Sequence, residues 1–479
     1  MFVKLRLFKY NNLCFVMNKN NIFIESEYEF KRVCRSILFR IFAILAILGL
    51  VVYQYSFLSR VGGSDSINDL FQFYMDWPSQ ALASSIPFKS AYYFNLIQLL
   101  LVVSLVVNDL RKYKIGTKEA LFSRPQGNRE IVTGNFLGKL LVVTLLNGFV
   151  FVVSIIINLI LYSHSFNLSY YLFYWITLTF PALVYFLGFS GFMIRWVRNL
   201  GMSLILFLLL FSGLTFGAAH LLHGLLDPCA RYVPNMFSDF TGHVNLENYL
   251  LQRGNILFAG IGFFMLSVIS YPRIPNEAFV MKKSLCGACV LFILSGCLAF
   301  MYYDHYKTID NNRKLYRQVY HENSKYSGTR IVRNDLRMKM LEGGGLAIES
   351  QMEIVNGNLE KIPLVLYLNP GLKINRVEVD GKNISFRREC QAIILDKELT
   401  PGERCCVGVL YEGNIETDIC FLEQENEEYD FSDVNRVGIS CYGYTPAFCR
   451  EDYTLLTPES LWYPVCVPPY SPLEYRGVN

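Results

Sequence analysis

The stretch Phe136-Leu-Gly-Lys-Leu-Leu-Val-Val-Thr-Leu-Leu-Asn-Gly-Phe-Val-Phe-Val-Val-Ser-Ile-Ile-Ile-Asn-Leu-Ile-Leu-Tyr162 decides the fold class of this chain. After Lys139 it contains no acidic or basic residue. A helix of about 20 apolar residues crosses the roughly 30 Å hydrocarbon core of a bilayer. Such a helix also satisfies its own backbone hydrogen bonds, which hydrocarbon cannot do. The stretch therefore predicts a membrane-spanning helix.

The rest of the first 303 residues repeats this pattern. Apolar blocks without charge alternate with short polar connections, which predicts a polytopic α-helical membrane domain over residues 38–303 with about seven spans. The predicted spans are Leu38–Leu58, Tyr92–Asn108, Phe136–Tyr162, Tyr170–Ile194, Leu200–Leu222, Asn255–Tyr271 and Leu285–Tyr303.

Lysine and arginine are distributed unequally between the two sets of connections. One set, which includes the N-terminal segment 1–37, carries eighteen of them, and the other set carries four. Connections rich in lysine and arginine stay in the cytosol. We therefore expect a cytosolic N-terminus, a multi-pass protein of the inner (plasma) membrane, and an extracytoplasmic position for residues after 303.

The chain after residue 303 has a different composition and hydrophobic pattern. Residues 304–342 are charged and rich in tyrosine, which predicts a stalk, helical from Lys307 to Arg337. Residues 343–479 alternate short apolar runs with turn residues such as Asp380-Gly381, which predicts an all-β sandwich-like domain. The formal net charge of +4 gives no reason to expect nucleic-acid binding.

The most informative polar stretch is the cytosolic segment 109–135. It predicts a short amphipathic helix, a turn at Pro125-Gln-Gly127, and a second helix capped by Asn128 with Glu130 in its first turn. A helix along the membrane face can pass the movement of a cytosolic partner into the spans. The alternative is a solvated loop whose basic residues only follow the sidedness rule.

This segment resembles the coupling segment of type-2 ABC exporter permeases. The similarity lies in Gly116-Thr117-x-Glu119-x-Leu121, Arg124-Pro125 and Glu130-Ile131-x-x-Gly134-x-x-x-Gly138-Lys139. The resemblance implies a permease that works as a homo- or heterodimer in the lipid bilayer with a separate cytosolic ABC ATPase. It also implies the residues that couple the two subunits, namely Gly116, Thr117, Glu119, Arg124, Pro125 and Glu130.

The tail resembles the N-terminal β-domain of aminopeptidase N-like zinc peptidases. The similar stretches are Leu368-Asn-Pro-Gly-Leu-Lys373, Val377-x-Val-Asp-Gly381, Leu399-Thr-Pro-Gly402, Tyr411-x-Gly-x-Ile415 and Leu456-Thr-Pro-Glu-Ser-Leu-Trp-Tyr-Pro464. In one bacterial group such a peptidase is fused to a permease-like membrane half. The resemblance implies that 343–479 is an incomplete β-domain, truncated before the catalytic domain.

The zinc site of that peptidase family has no counterpart in this sequence. The site requires two histidines one helical turn apart with a glutamate base between them. His321-Glu322 is the only His-Glu pair, and no second histidine follows it. We therefore expect no catalytic residue, no metal and no cofactor in this chain. The alternative function is a membrane anchor or substrate-presenting module for a zinc aminopeptidase on another chain.

Two further clusters have competing interpretations. His220 and His223, with Asp227 and Cys229 close behind, could hold a metal, although histidines at a helix end are more often polar caps. Cys286-Gly-Ala-Cys289 has redox spacing, although small residues in a membrane helix more often permit close helix packing. We expect the structural role in both cases.

Overall fold

The computed structural model of the chain describes residues 19–61, 82–114, 127–161, 163, 166–197, 200–214, 221–230, 233, 237, 242–243, 245–271, 278–323, 329–420, 422, 447–449 and 453–466. The chain divides into two compact units. The first contains 1–64, 82–232 and 250–300, and the second contains 65–81, 233–249 and 301–479.

The first unit is helical. Its helices, two of which continue into the second unit, are α1 Lys19–Arg35, α2 Ile37–Val61, α3 Leu82–Lys114, α4 Asn128–Leu161, α5 Leu168–Tyr174, α6 Phe180–Val197, α7 Leu200–Ser212, α8 Leu246–Ile269 and α9 Ala278–Asn323. A π-helical turn at Trp175–Thr179 joins α5 to α6 without a break in the helix.

Within the part of the chain that the structure describes, five helical stretches are long and apolar enough to cross a membrane. They are Ile37–Gln54, Asn128–Leu161, Leu168–Val197, Leu246–Ile269 and Met281–Asn323. The predicted spans Tyr92–Asn108 and Leu200–Leu222 fall on α3 and α7, which are not among the five. Several long apolar helices are therefore present, as expected of a membrane protein, and the number seven stays a prediction.

Close backbone approach holds two of these helices together. A Cβ on Gly188 of α6 would lie 2.1 Å from the carbonyl oxygen of Gly260 of α8. Membrane helices use such small residues because lipid provides no hydrophobic force between helices, and short-range packing replaces it. Aromatic rings fill the space beside the glycines, where Phe263 meets Tyr185 and Phe189 edge-on.

The second unit is built on antiparallel sheets. Its strands are β1 Thr329–Met340, β2 Leu346–Asn356, β3 Ile362–Tyr367, β4 Leu372–Val379, β5 Lys382–Asn383, β6 Phe386–Glu389, β7 Ala392–Leu399, β8 Arg404–Gly413, β9 Phe448–Cys449 and β10 Thr454–Leu455. The sheet orders are β1-β2-β8-β4-β5, β3-β7-β6 and β10-β9. The two larger sheets share one core, in which Ile348 and Val409 of one meet Leu366 and Ile393 of the other. The expected β-rich tail is therefore present.

The segment expected as a stalk divides between a helix and a strand. Helix α9 continues to Asn323, and β1 begins at Thr329 and pairs with β2. The end of α9 is packed within the second unit, since Tyr316 and Tyr320 are buried against Val365 and Tyr367. Residues 329–340 thus form a strand paired with β2, where the sequence predicts the last part of the helical stalk.

Two glycines let β4 and β8 meet at their ends. Gly413 has a φ of +144°, and a Cβ there would lie 2.3 Å from the carbonyl oxygen of Gly371. A Cβ on Gly371 would lie 2.1 Å from the carbonyl oxygen of Asn414. The sheet cannot keep this geometry with a larger residue at either position.

We predict that Gly413→Ala destabilises the tail by at least about 2 kcal/mol, through backbone strain and the contact with Gly371. The measurement is the urea concentration at which trypsin begins to cut the tail of the purified chain. Gly408→Ala is the matched control, because a Cβ at Gly408 of the same strand meets nothing closer than 3.9 Å. Equal urea midpoints for the two variants would contradict the prediction.

Candidate functional site

The predicted coupling residues lie around the start of α4. Gly116, Thr117, Glu119, Arg124 and Pro125 lie outside the described residues. Glu130 is described and lies in the first turn of α4. Glu130 and the residues that contact it therefore form the described part of the site.

Glu130 organises the beginning of α4. Its side chain is buried, and Oε2 accepts hydrogen bonds from the backbone N–H of Gly127 at 3.3 Å and from Nδ2 of Asn21 at 2.9 Å. A carboxylate in this turn satisfies a backbone donor that the helix leaves unpaired and lies at the positive end of the helix dipole. The bond to Asn21 also ties α4 to α1, which the sequence did not indicate.

Asn128, expected as the cap, makes a contact across the unit. It is the first residue of α4, and its Nδ2 donates to the carbonyl oxygen of Tyr271, just after α8, at 3.4 Å. The start of α4 thus has a polar link to α8 as well as to α1.

Helix α1 lies directly against α4 at two glycines spaced four residues apart. A Cβ on Gly134 would lie 2.6 Å from Cβ of Glu25, and a Cβ on Gly138 would lie 2.7 Å from the carbonyl oxygen of Ser26. Residues four apart share a helix face, so both glycines belong to one contact surface. We call this surface the α1–α4 seam, formed by Gly134 and Gly138 on α4 and by residues 22–29 on α1.

A charged cluster closes the seam. The Glu29 carboxylate has no exposed surface and pairs with Arg32 of its own helix, while Nζ of Lys139 on α4 lies 3.9 Å from it. A buried carboxylate is costly unless a cation pairs with it, so Arg32 and Lys139 together stabilise Glu29 in this position. Packing and charge together fix α1 on the part of α4 that carries Gly134, Gly138 and Lys139.

The residues Asp227 and Cys229 of the candidate metal cluster lie in a hydrogen-bonded turn after α7. Oδ1 of Asp227 accepts from the backbone N–H of Cys229 at 2.9 Å, and Nε2 of Gln252 donates to the carbonyl oxygen of Asp227 at 2.8 Å. His220 lies outside the described residues. Among those that are described, no three His, Cys, Asp or Glu side chains come close enough to share a metal ion.

The cysteines of the redox-like motif are both free. Cys286 and Cys289 are exposed on α9, where their spacing places them on one side of the helix. Neither cysteine forms a disulfide in the structure. The packing role and the redox role both stay predictions.

Sequence reasoning missed a set of uncharged polar residues inside the helical unit. Nδ2 of Asn147 donates to Oε1 of Gln98 at 2.8 Å, Oγ of Ser154 donates to Oγ of Ser90 at 3.2 Å, and Nδ2 of Asn158 donates to the Tyr171 hydroxyl at 3.1 Å. The sequence feature that indicates this polar set is the spacing of Asn147, Ser154 and Asn158, which places all three on one face of α4.

We predict that Gly138→Leu separates α1 from α4, because the larger side chain has no room against Ser26 and Glu29. The measurement is the rate of tryptic cleavage at Lys31, Arg32 and Arg35 in the purified chain, expected to rise about tenfold or more. Gly148→Leu is the control, since a Cβ at Gly148 meets nothing within 4 Å. Unchanged cleavage in Gly138→Leu would show that the seam does not hold α1.

Comparison with known proteins gives a limited result. No protein-family model matches the chain, and no curated protein matches it. Solved structures similar to part of it include an M1 zinc metallopeptidase from Deinococcus radiodurans, a mutant of that enzyme bound to a Tyr-Ser-Ala substrate, and a two-domain M1 zinc metallopeptidase mutant bound to L-arginine. Each is 21% identical with a TM-score of 0.17, and the match covers 19% of this chain and 21–22% of theirs. The chain thus matches only about one fifth of those enzymes, and a likeness of this size shows neither a shared fold nor a shared activity.

Proposed function

We propose that the chain is a membrane-spanning permease subunit of an ABC-type exporter, coupled through residues 109–135 to a separate cytosolic ATPase. It works as a homo- or heterodimer with another permease. ATP hydrolysis belongs to the partner, and this chain supplies the path and the moving helices. The resemblance of residues 116–139 to coupling segments supports the proposal, and so does the geometry at the start of α4.

The observation that carries the proposal is the mechanical continuity of α4. The helix runs from Asn128 to Leu161, which at 1.5 Å per residue is about 51 Å. Its first two turns belong to the proposed ATPase-binding segment, and the seam fixes α1 against the second and third turns. A force on the segment would therefore move α1 and α4 together instead of bending a loose loop.

The topology belongs to the same proposal. The charge asymmetry favours a cytosolic N-terminus and a tail outside the cytosol, in the inner membrane of a bacterium. This orientation places 109–135 where an ATPase can reach it. The β-rich tail then lies where an exported molecule emerges.

We predict that Glu119→Ala weakens association with the ATPase, because the resemblance assigns Glu119 to the contact. The chain is solubilised and captured by a tag from cells of its source, and the ATP-binding subunit recovered with it is quantified. We expect a loss of about tenfold in Glu119→Ala, with Glu412→Ala as control, since Glu412 is exposed on β8 of the tail. Recovery of no ATP-binding subunit with the unaltered chain, or of a zinc aminopeptidase in its place, would count against the permease.

We predict that a sulfonated, membrane-impermeant maleimide labels Cys406 in intact cells. Cys406 is exposed on β8, whereas Cys405 beside it is buried, and burial raises the pKa of the Cys405 thiol to about 11. Because the thiolate is the reacting form, a chain that retains only Cys405 stays unlabelled at pH 7.

A chain that retains only Cys34 of α1 provides the cytosolic control. It should react only after the cells are permeabilised. If Cys406 also reacts only after permeabilisation, the tail lies in the cytosol and the proposed topology is wrong.

A further inference from the structure

The first strand of the tail, β1, lies at the edge of the five-stranded sheet. Within the described part of the chain it has a strand partner on one side only, where β2 runs antiparallel to it. An edge strand presents a row of backbone N–H and C=O groups that can pair with a further strand. With 12 residues, β1 is also longer than most strands, which have about five or six. It therefore offers a long template for strand addition.

One face of β1 carries apolar side chains that the described core of the tail leaves exposed. Met338 and Met340 lie opposite Ile348 and Leu346 of β2, which are at most 1% exposed. This face of β1 is therefore the inner face of the sheet, and Leu336 lies on it as well because strand side chains alternate. Leu336, Met338 and Met340 are nevertheless 36%, 50% and 40% exposed. A further strand beside β1 would cover them with its own apolar side chains.

The other face of β1 is basic. Arg333, Arg337 and Lys339 alternate with the apolar residues, and Asp335 is the acidic residue of the strand. With Arg330, the strand carries four cations and one carboxylate, which gives it a net charge of +3. The Arg337 side chain is 87% exposed, and its ion pair with a glutamate of β2 is long, at 3.9 Å. The basic side chains along the edge are therefore accessible to a further partner.

Charge decides which strand fits this edge. Lysine and arginine on an edge strand hinder pairing with a second copy, because the copy brings like charges together. Two copies of β1 side by side would oppose a net charge of +3 to another of +3. The same side chains attract a strand whose outward residues are acidic, since opposite charges across a strand pair are stabilising. The edge thus disfavours a copy of itself and favours an acidic strand.

We propose that β1 binds an extended segment of another polypeptide, in which acidic and apolar residues alternate, as a sixth strand of this sheet. The acidic side chains of the segment face Arg337 and Lys339, and its apolar side chains cover Leu336, Met338 and Met340. In strand addition, backbone hydrogen bonds supply affinity and the alternate side chains supply specificity. The inference concerns the tail alone, so it does not depend on the proposed permease function.

The test uses the full chain in nanodiscs of phosphatidylcholine, a lipid whose headgroup has no net charge. The probe is a fluorescein-labelled peptide in which five glutamates alternate with four valines, and fluorescence anisotropy follows its binding. One control peptide has the same composition in two blocks, with the five glutamates before the four valines. A second control peptide has lysine in place of every glutamate. Empty nanodiscs give the contribution of lipid.

We expect saturable binding of the alternating acidic peptide, binding of the block peptide that is weaker by about tenfold or more, and no binding of the lysine peptide. Hydrogen exchange provides the structural readout. Backbone amides in 330–340 should gain protection when the acidic peptide binds, because a new strand pairs with this edge. Amides of β8 should not change, because β8 already lies between β2 and β4.

Two substitutions separate the roles of the two faces. Arg337→Glu should weaken binding of the acidic peptide by about tenfold, because it replaces an attraction by a repulsion. Met338→Asn should weaken it similarly, because it removes an apolar contact on the inner face. Arg404→Glu is the matched control for charge, and it should bind as the parent does. Arg404 also pairs with a glutamate of β2, and its side chain is 67% exposed, but it lies on the central strand β8.

Several results would overturn the inference. Absence of binding to the parent, or equal binding of the block peptide, would exclude recognition of an alternating strand. Binding without protection of 330–340 would place the peptide elsewhere. If binding required replacement of the six carboxylates in 423–433 by amides, this acidic stretch of the chain itself would be the occupant. If the peptide halved the molecular mass measured by light scattering, the occupant would be a second copy.

Discussion

The helical unit depends on one constraint, which is that a polar group buried among apolar side chains has no water to bond and needs a partner within the chain. Arg253 is the strongest case. Its guanidinium is almost fully buried, and it donates to three backbone carbonyl oxygens, two of them in the π-helical turn. Beside it, Gln252 donates to carbonyl oxygens of the 224–227 turn. Two adjacent side chains of α8 thus hold both the widened turn and the turn that follows α7.

The same constraint makes α4 the organising helix of the unit. Near its start lie Glu130, Gly134, Gly138 and Lys139, which fix α1, and farther along lies the polar face that begins at Asn147. Seventeen residues separate Glu130 from Asn147, which corresponds to about 26 Å along the axis. One continuous hydrogen-bonded helix therefore joins the contacts with α1 to this polar face.

In the tail, the sequence predicted the presence of strands and turns better than the residues at which they begin and end. Asp380-Gly381 predicted a hairpin turn, and the structure has both residues at positive φ between β4 and β5. Residues 329–340 lack the alternation of a half-buried strand, so the sequence predicts part of a stalk there. In the structure they form β1, and most of their side chains are exposed. Its identity comes from pairing with β2, a partner more distant than any local pattern reports. The sequence likewise predicts Arg253 in a loop before the span that begins at Asn255, whereas α8 begins at Leu246 and buries Arg253.

The sequence by itself determined that the chain contains long apolar helices followed by a β-rich region, because hydrophobic length and alternation are local properties of the chain. It also marked Glu130, Gly134, Gly138 and Lys139 as one motif. Only the tertiary structure decided what that motif contacts and which polar residues of different helices hydrogen-bond to one another. The reason is that a glycine or an amide specifies close approach or hydrogen bonding, while the partner is chosen by the packing of helices far apart in the sequence.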